Sequence, residues 1–151
     1  MATLADIPPP AGTLGFAGVL PFVAGTVGFW ALPQPNWAWL ALEAQVFYGC
    51  VILSFLGAVH WGAVLAEGSE AVAEAWPRLG WSVTPALVGW MAALMNPAPA
   101  LVTLMVGLGA AFVIDRRTVT MGGFPEWYGV LRRWLTAIAL LSLGVSLIRL
   151  V

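Results

Sequence analysis

Long apolar runs without strand-like alternation dominate the sequence. Crossing a hydrocarbon core about 30 Å thick takes about 20 residues of helix. Only helices and closed barrels satisfy their backbone hydrogen bonds in lipid, and continuous apolar runs favour helices. The pattern therefore predicts a single domain over residues 1–151, an all-α integral membrane protein folded as a compact bundle of five transmembrane helices. We place these helices at 12–32, 39–65, 80–95, 98–114 and 131–150.

Turn-forming segments separate the runs: PQPN at 33–36, EGSEAVAEAWPR at 67–78, NPAP at 96–99 and DRRTVTMGGFPEW at 115–127. The short connection at 96–99 makes the third and fourth helices antiparallel neighbours. In the last connection, Gly122 and Gly123 permit unusual backbone angles, and apolar residues follow them. We expect residues 118–127 to fold back onto the membrane surface over the nearby polar residues; an ordinary solvated connection is the alternative.

Composition and charge set the environment and the orientation. Hydrophobic residues make up 61% of the chain and charged residues 9%, a balance that no water-soluble surface of this size would carry. The amino-terminus lacks a basic region, so we expect the first run to stay as a span rather than be cleaved. With five spans, five arginines share the amino-terminal side and only Arg149 lies on the other. Positive residues in short loops stay inside, so the N-terminus is predicted inside and the C-terminus outside.

The only histidine, His60, lies about five residues from the inner end of the second predicted helix. Asp115 and Arg132 fall at the same depth, and isolated polar residues in membrane helices face the bundle interior. We therefore expect His60 to point toward Asp115 or Arg132. Two interpretations stay open: a hydrogen bond that locks two helices, or a ligand site. The candidate ligand-binding residues are His60, Trp61, Asp115, Arg116, Trp127, Tyr128 and Arg132.

Several chemistries are disfavoured. The net charge is −1 without any lysine, so no nucleic-acid partner is predicted. Cys50 is ten residues from His60, about 15 Å along a helix, so the two cannot share a metal, and no metal site is predicted. No catalytic motif is present, so no catalytic residue is predicted and an enzymatic reaction is disfavoured without being excluded. Small residues at helical spacing indicate close helix contacts, and the candidate packing glycines are Gly57, Gly62, Gly89 and Gly107.

Four segments carry a family resemblance: LGFAGVLPF at 14–22, SFLGAVHWG at 54–62, WSVTP at 81–85 and PEWYGVLRRWLT at 125–136. They resemble the transmembrane protein 69-like membrane proteins, domain-of-unknown-function family 3429. The matching positions in the second helix are Gly57, His60, Trp61 and Gly62, and those in the fifth are Trp127, Tyr128, Arg132 and Thr136; Ala58 departs from a frequent glycine. The resemblance implies a bacterial inner (plasma) membrane, or a mitochondrial inner membrane in a eukaryote, and no established activity.

Two functions from different classes follow. The first is a non-catalytic accessory or assembly protein that docks on a larger membrane complex or self-associates, which short loops and small-residue faces favour. The alternative is a module that binds a lipid or quinone head group at the inner leaflet through arginine, His60 and aromatic residues. The accessory role predicts no cofactor, whereas the binding module predicts a bound quinone or lipid. Membrane lipids are expected partners in both cases. A transporter or channel is disfavoured because no midplane charge or repeat is visible.

Overall fold

A computed structural model describes residues 2–68, 72 and 75–151 of the chain. Within these ranges the fold is helical, with no strand. In the described part of the chain, a short 3-10 helix, Leu4–Asp6, precedes six α-helices: α1 Pro9–Ala17, α2 Leu20–Ala31, α3 Pro35–Ala66, α4 Trp76–Ala93, α5 Pro97–Thr120 and α6 Glu126–Ile148.

Proline marks most of the helix starts. Pro9, Pro35 and Pro97 are first residues of their helices, where the missing N–H costs no hydrogen bond and the fixed φ suits the helix. The end of α5 is a Schellman motif: the N–H of Gly123 donates to the carbonyl of Thr118, and that of Gly122 to the carbonyl of Val119. Gly122 has a φ of 80°, which glycine adopts without strain. This motif turns the chain back toward the start of α6.

The structure corrects the predicted boundaries in an informative way. The first predicted helix is two helices, because the chain breaks between Ala17 and Leu20 and Pro21 lies in the first turn of α2. The fourth and fifth predicted helices are each longer at the end rich in charge, since α5 continues past Asp115 to Thr120 and α6 begins before Arg132, at Glu126. Hydropathy placed these charged residues at helix ends, whereas both are buried inside helices. The predicted connection at 67–78 lies partly outside the described residues.

Four helical segments are long and apolar enough to cross a membrane by length and composition, among the residues that the structure describes: Pro9–Ala31 (α1 with α2), Pro35–Ala66, Pro97–Thr120 and Glu126–Ile148. The remaining helix, α4, is 18 residues long, carries Arg78 and is not one of the four. The chain is therefore an all-helical bundle with several apolar helices of spanning length.

The bundle is built around α3 and α6. Helix α3 packs on α2, α4 and α5, while α6 packs on α5, α2 and α1, so the first and last helices are neighbours. Glycines at the α3–α4 seam allow close approach: a Cβ on Gly57 would overlap the carbonyl oxygen of Ser82, and one on Gly89 would lie 3.0 Å from the carbonyl oxygen of Cys50. Likewise, a Cβ on Gly107 would lie 2.7 Å from the Leu53 side chain. A Cβ on Gly62 would meet no described atom within 4 Å, so the described residues give Gly62 no close helix contact and its packing role stays a prediction.

One end of the bundle carries most of the arginines. Exposed Arg78 lies at the start of α4, exposed Arg116 and Arg117 lie in the last turns of α5, and exposed Arg133 lies in the first turns of α6. We call this the basic end. Glu67, which follows α3, joins Arg78 through two hydrogen bonds of 2.5 and 2.7 Å. The Arg78 guanidinium lowers the pKa of the exposed Glu67 carboxyl below its ordinary value of 4.5.

Candidate functional site

Three helices bring a buried carboxylate, an imidazole and a guanidinium together near the basic end. His60 of α3 places Nε2 2.8 Å from Oδ1 of Asp115 of α5. The other carboxylate oxygen, Oδ2, accepts a 2.6 Å hydrogen bond from Nε of Arg132 of α6. The hydroxyl of Tyr128, one turn earlier in α6, donates to the same oxygen at 3.3 Å. We call these four residues the charged cluster, and its formation confirms the expected contact between His60 and Asp115.

Burial makes it costly to remove one partner of the cluster. Asp115 is 1% exposed, Arg132 5% and His60 8%. An ionised carboxylate only accepts hydrogen bonds, so its pairing with His60 requires the imidazole proton on Nε2. Charge-assisted bonds of this length are roughly twice as strong as neutral ones. The carboxylate and the guanidinium balance each other's charge, which is how a buried pair avoids the cost of an isolated ion.

Aromatic rings cover the cluster on its basic-end side. The ring of Phe124, in the connection between α5 and α6, lies 5.0 Å from the His60 ring and 5.0 Å from the Tyr128 ring, centre to centre. Trp127 packs edge-on against Tyr128 with centres 6.2 Å apart. Phe124 thus lies over the polar residues, as expected, and the position of the connection on the membrane surface stays a prediction. Residues 118–120, which we expected in the connection, belong to α5 instead.

Two buried polar atoms beside the cluster have no hydrogen-bond partner among the described residues. They are Nη2 of Arg132 and Oγ1 of Thr136, which follows Arg132 by one helical turn. Thr136 is 4% exposed. More than nine in ten buried polar groups in folded proteins are paired, so two unpaired groups one turn apart require an explanation.

Both unpaired groups belong to residues that line a cavity of about 490 Å³ between α1, α3 and α6. Most of its wall is apolar. The hydroxyl of Tyr48, on the α3 side, is already bonded to the carbonyl oxygen of Gly18 at 2.8 Å, at the break between α1 and α2. Leu14, Val51 and Phe55 line the cavity and are also exposed on the outside of the bundle. The cavity therefore opens sideways, on the surface that acyl chains cover in a membrane.

A second polar group, nearer the other end of the bundle, contains no charge. The Gln45 Nε2 donates to the carbonyl oxygen of Phe22 at 2.9 Å and to Oγ1 of Thr26 at 2.7 Å. The Thr26 hydroxyl in turn donates to the carbonyl oxygen of Ser142 at 2.9 Å and lies 3.2 Å from Oγ of Ser146. We call Thr26, Gln45, Ser142 and Ser146 the amide cluster. Sequence reasoning missed it, although a glutamine inside an apolar run was a visible signal.

The structure brings together His60, Asp115, Tyr128 and Arg132 of the predicted site, with Trp127 in the cavity wall. It leaves Trp61 and Arg116 outside, both exposed. Each directly follows a residue of the charged cluster in sequence. Because successive residues point about 100° apart around a helix, the side chains of Trp61 and Arg116 point away from the cluster. Thr136 and Phe124 were not among the predicted site residues. Within the described ranges, no three His, Cys, Asp or Glu side chains are grouped to hold a metal ion.

Comparison with known proteins gives a family over most of the chain. Residues 7–148, which include both clusters, match a family described as protein of unknown function (DUF3429). The chain is 40% identical over 149 residues to Transmembrane protein 69 of Xenopus tropicalis, covering 96% of this chain and 56% of that protein. It is 35% identical over 147 residues to Transmembrane protein 69 of Mus musculus, covering 96% and 58%. The chain thus spans a little over half the length of these curated relatives. No solved structure matches it.

Proposed function

The chain belongs to the DUF3429 family of membrane proteins of unknown function, and we propose that it is a binding protein that holds a lipid-phase molecule in the cavity between α1, α3 and α6. One observation carries this proposal: the unpaired Arg132 Nη2 and Thr136 Oγ1 belong to residues of the cavity wall. Leaving a buried polar group unpaired costs about 1–3 kcal/mol. Both atoms are covered in the ligand-free structure, so a ligand oxygen entering from the cavity would pair them, and remove that cost, after a small shift of the wall.

The size and the opening of the cavity suit such a ligand. Small-molecule sites have volumes of roughly 300–1,000 Å³ and combine apolar walls with a few polar groups. The volume of about 490 Å³ falls in this range, and the polar groups lie on one wall. The exposed rim residues Leu14, Val51 and Phe55 provide an entry from the lipid, so an insoluble molecule would not have to cross water.

The proposal includes the orientation in the membrane. We propose five spans, with α4 as the third, and a basic end that faces the cytoplasm of a bacterium or the matrix of a mitochondrion, in the inner membrane of either. Exposed Arg78, Arg116, Arg117 and Arg133 support this, because positive residues in short loops stay inside. A reporter fused after Val151 is expected on the opposite side from one inserted at 67–78. Reporters on the same side would contradict five spans.

The binding function is tested by native mass spectrometry of the protein released gently from its own membrane. We expect a retained non-protein mass on the wild-type chain. Ala11→Trp adds a large side chain to the cavity wall, whereas Thr13→Trp adds the same group at an exposed position of α1 that does not line the cavity. The mass should be lost in Ala11→Trp and kept in Thr13→Trp. No retained mass, or equal retention in the two variants, would overturn the proposal.

The accessory role in a larger complex, and self-association, remain predictions. A protein subunit or a second copy of the chain retained in the same spectra would support them.

A further inference from the structure

We infer that the cavity takes a neutral lipid whose carbonyl oxygen accepts hydrogen bonds from Arg132 Nη2 and Thr136 Oγ1, and that it does not take the charged head group of a phospholipid. This inference rests on the proposed binding function and specifies the ligand chemistry of the same site. It is supported by the depth of the two donors in the membrane and by the charge balance around Arg132.

With α3 and α6 as the proposed spans, depth in the membrane follows from the positions of the groups along these helices. Arg132 is six residues from the basic end of α6 and His60 six residues from the basic end of α3, which is about 9 Å in each case at 1.5 Å per residue. Thr136 is ten residues from the same end of α6, about 15 Å. Helix α6, with 23 residues, is about 34 Å long, little more than a hydrocarbon core of about 30 Å. An oxygen that contacts both residues therefore lies well inside the hydrocarbon.

A phosphate group at that depth would lose its hydration, and an isolated buried ion costs far more than a buried neutral group. A carbonyl oxygen enters hydrocarbon at a much lower cost, which the two donors would repay. Depth therefore favours head groups that already partition into the lipid interior.

Charge balance leads to the same conclusion. Arg132 is the only basic residue among the described residues that line the cavity, and its Nε already donates to Asp115. The positive charge is thus offset before any ligand arrives, and Nη2 offers a hydrogen bond without a net charge. The exposed arginines of the basic end, which could attract an anionic head group, do not line the cavity.

Prenylated quinones carry such a carbonyl on their ring and diacylglycerols in their esters. Phospholipids carry the same esters but attach them to a charged phosphate, which distinguishes them from the two neutral classes. The aromatic side chains in the wall, Trp127 and Tyr128 near the donors and Phe22, Tyr48 and Phe55 further along, provide ring faces and edges for a flat head group. The shared requirement is the neutral carbonyl, and the experiment separates the two sources.

The test offers three probes separately to the delipidated full chain in detergent: a prenylated benzoquinone, a diacylglycerol and phosphatidylglycerol. Occupancy is read by native mass spectrometry over a concentration series. Thr136→Val removes only the unpaired hydroxyl, and Thr84→Val is the matched control, because Thr84 lies in α4 and bonds within its own helix. We expect at least one neutral probe to bind, about tenfold more weakly to Thr136→Val and unchanged to Thr84→Val.

A second variant, at the other donor, checks that weaker binding to Thr136→Val is not an unspecific effect of that one substitution. Arg132→Lys keeps the charge that Asp115 needs but removes Nη2, and it should also weaken the neutral probe. Phosphatidylglycerol binding that exceeds that of both neutral probes and depends on Thr136 would overturn the inference and leave the binding function intact. So would a ligand retained from the native membrane in an Ala11→Trp-sensitive way when neither neutral probe responds to Thr136→Val. No retained ligand and no bound probe would overturn the binding function as well.

Discussion

The charged cluster and the amide cluster perform the same structural task with different chemistry. Both connect α3 to α6, the first adding α5 and the second adding α2, and both leave a buried polar atom without a partner. At the charged cluster the unpaired donors belong to residues that line a cavity. At the amide cluster the unpaired Oε1 belongs to Gln45, which does not line that cavity and packs so tightly that a Cβ on Gly25 would lie 2.6 Å from its own Cβ. An unpaired atom indicates a ligand only where there is room for one.

The largest effect on stability is expected when the carboxylate at the centre of the charged cluster is removed. Asp115→Ala leaves the guanidinium of Arg132 buried without a counter-charge, which should cost about 3–5 kcal/mol of unfolding free energy. Unfolding in detergent by heat or by a denaturing detergent measures it. The double variant Asp115→Leu with Arg132→Met removes both charges and should recover most of the loss. A single variant as stable as the wild type would show that the charged cluster does not stabilise the fold.

A smaller effect is expected at the amide cluster. Gln45→Met keeps the length of the side chain and removes its hydrogen bonds to the Phe22 carbonyl and the Thr26 hydroxyl. Polar contacts between membrane helices average about 0.6 kcal/mol and reach about 1.7 kcal/mol, so the loss should be about 1 kcal/mol. The same unfolding measurement applies. A loss as large as that of Asp115→Ala would erase the distinction between the clusters.

The sharpest contrast is the same substitution made once in the amide cluster and once beside the charged cluster. Thr26→Val removes a hydroxyl that bonds Gln45 and the Ser142 carbonyl, and it should destabilise the protein by about 0.6 kcal/mol. Thr136→Val removes a hydroxyl without a partner, and the ligand-free protein should be as stable as the wild type or slightly more so. Equal destabilisation by both variants would mean that Thr136 has a structural bond and no free donor.

The smallest effect concerns the exposed pair at the basic end. The lowered pKa of Glu67 means that its contribution to stability is present above the ordinary value of 4.5 and is lost as the pH falls through the lowered pKa. Glu67→Gln should therefore lower the melting temperature slightly at pH 7, and the difference should vanish in acid. Salt should also reduce it, because the pair is exposed. A difference independent of pH would exclude the ion pair as its cause.

Much of this architecture follows from hydropathy. Apolar runs locate the helices, and the sequence places His60, Asp115 and Arg132 at one level. The helix ends were harder to predict from the sequence, because a charged residue usually marks the end of a membrane span, whereas Asp115 and Arg132 lie inside their helices. Each is tolerated inside its helix only because the other neutralises its charge, and this pairing depends on the tertiary structure. The break near Gly18 was signalled by Pro21, but the Tyr48 hydroxyl that uses the freed carbonyl comes from another helix. The unpaired state of Thr136 depends on packing around it, which no local pattern encodes.

The order of the helices along the chain has a consequence for biogenesis. Chains enter the membrane from the amino-terminus as they are made. Helix α5 delivers Asp115 while Arg132 is still unsynthesised, so His60 of α3 is the partner within reach at that stage. The wall of the cavity closes only when α6 arrives and meets α1. A chain arrested before α6 would hold a carboxylate without its guanidinium, so the last helix completes both the charge balance of the cluster and the wall of the cavity.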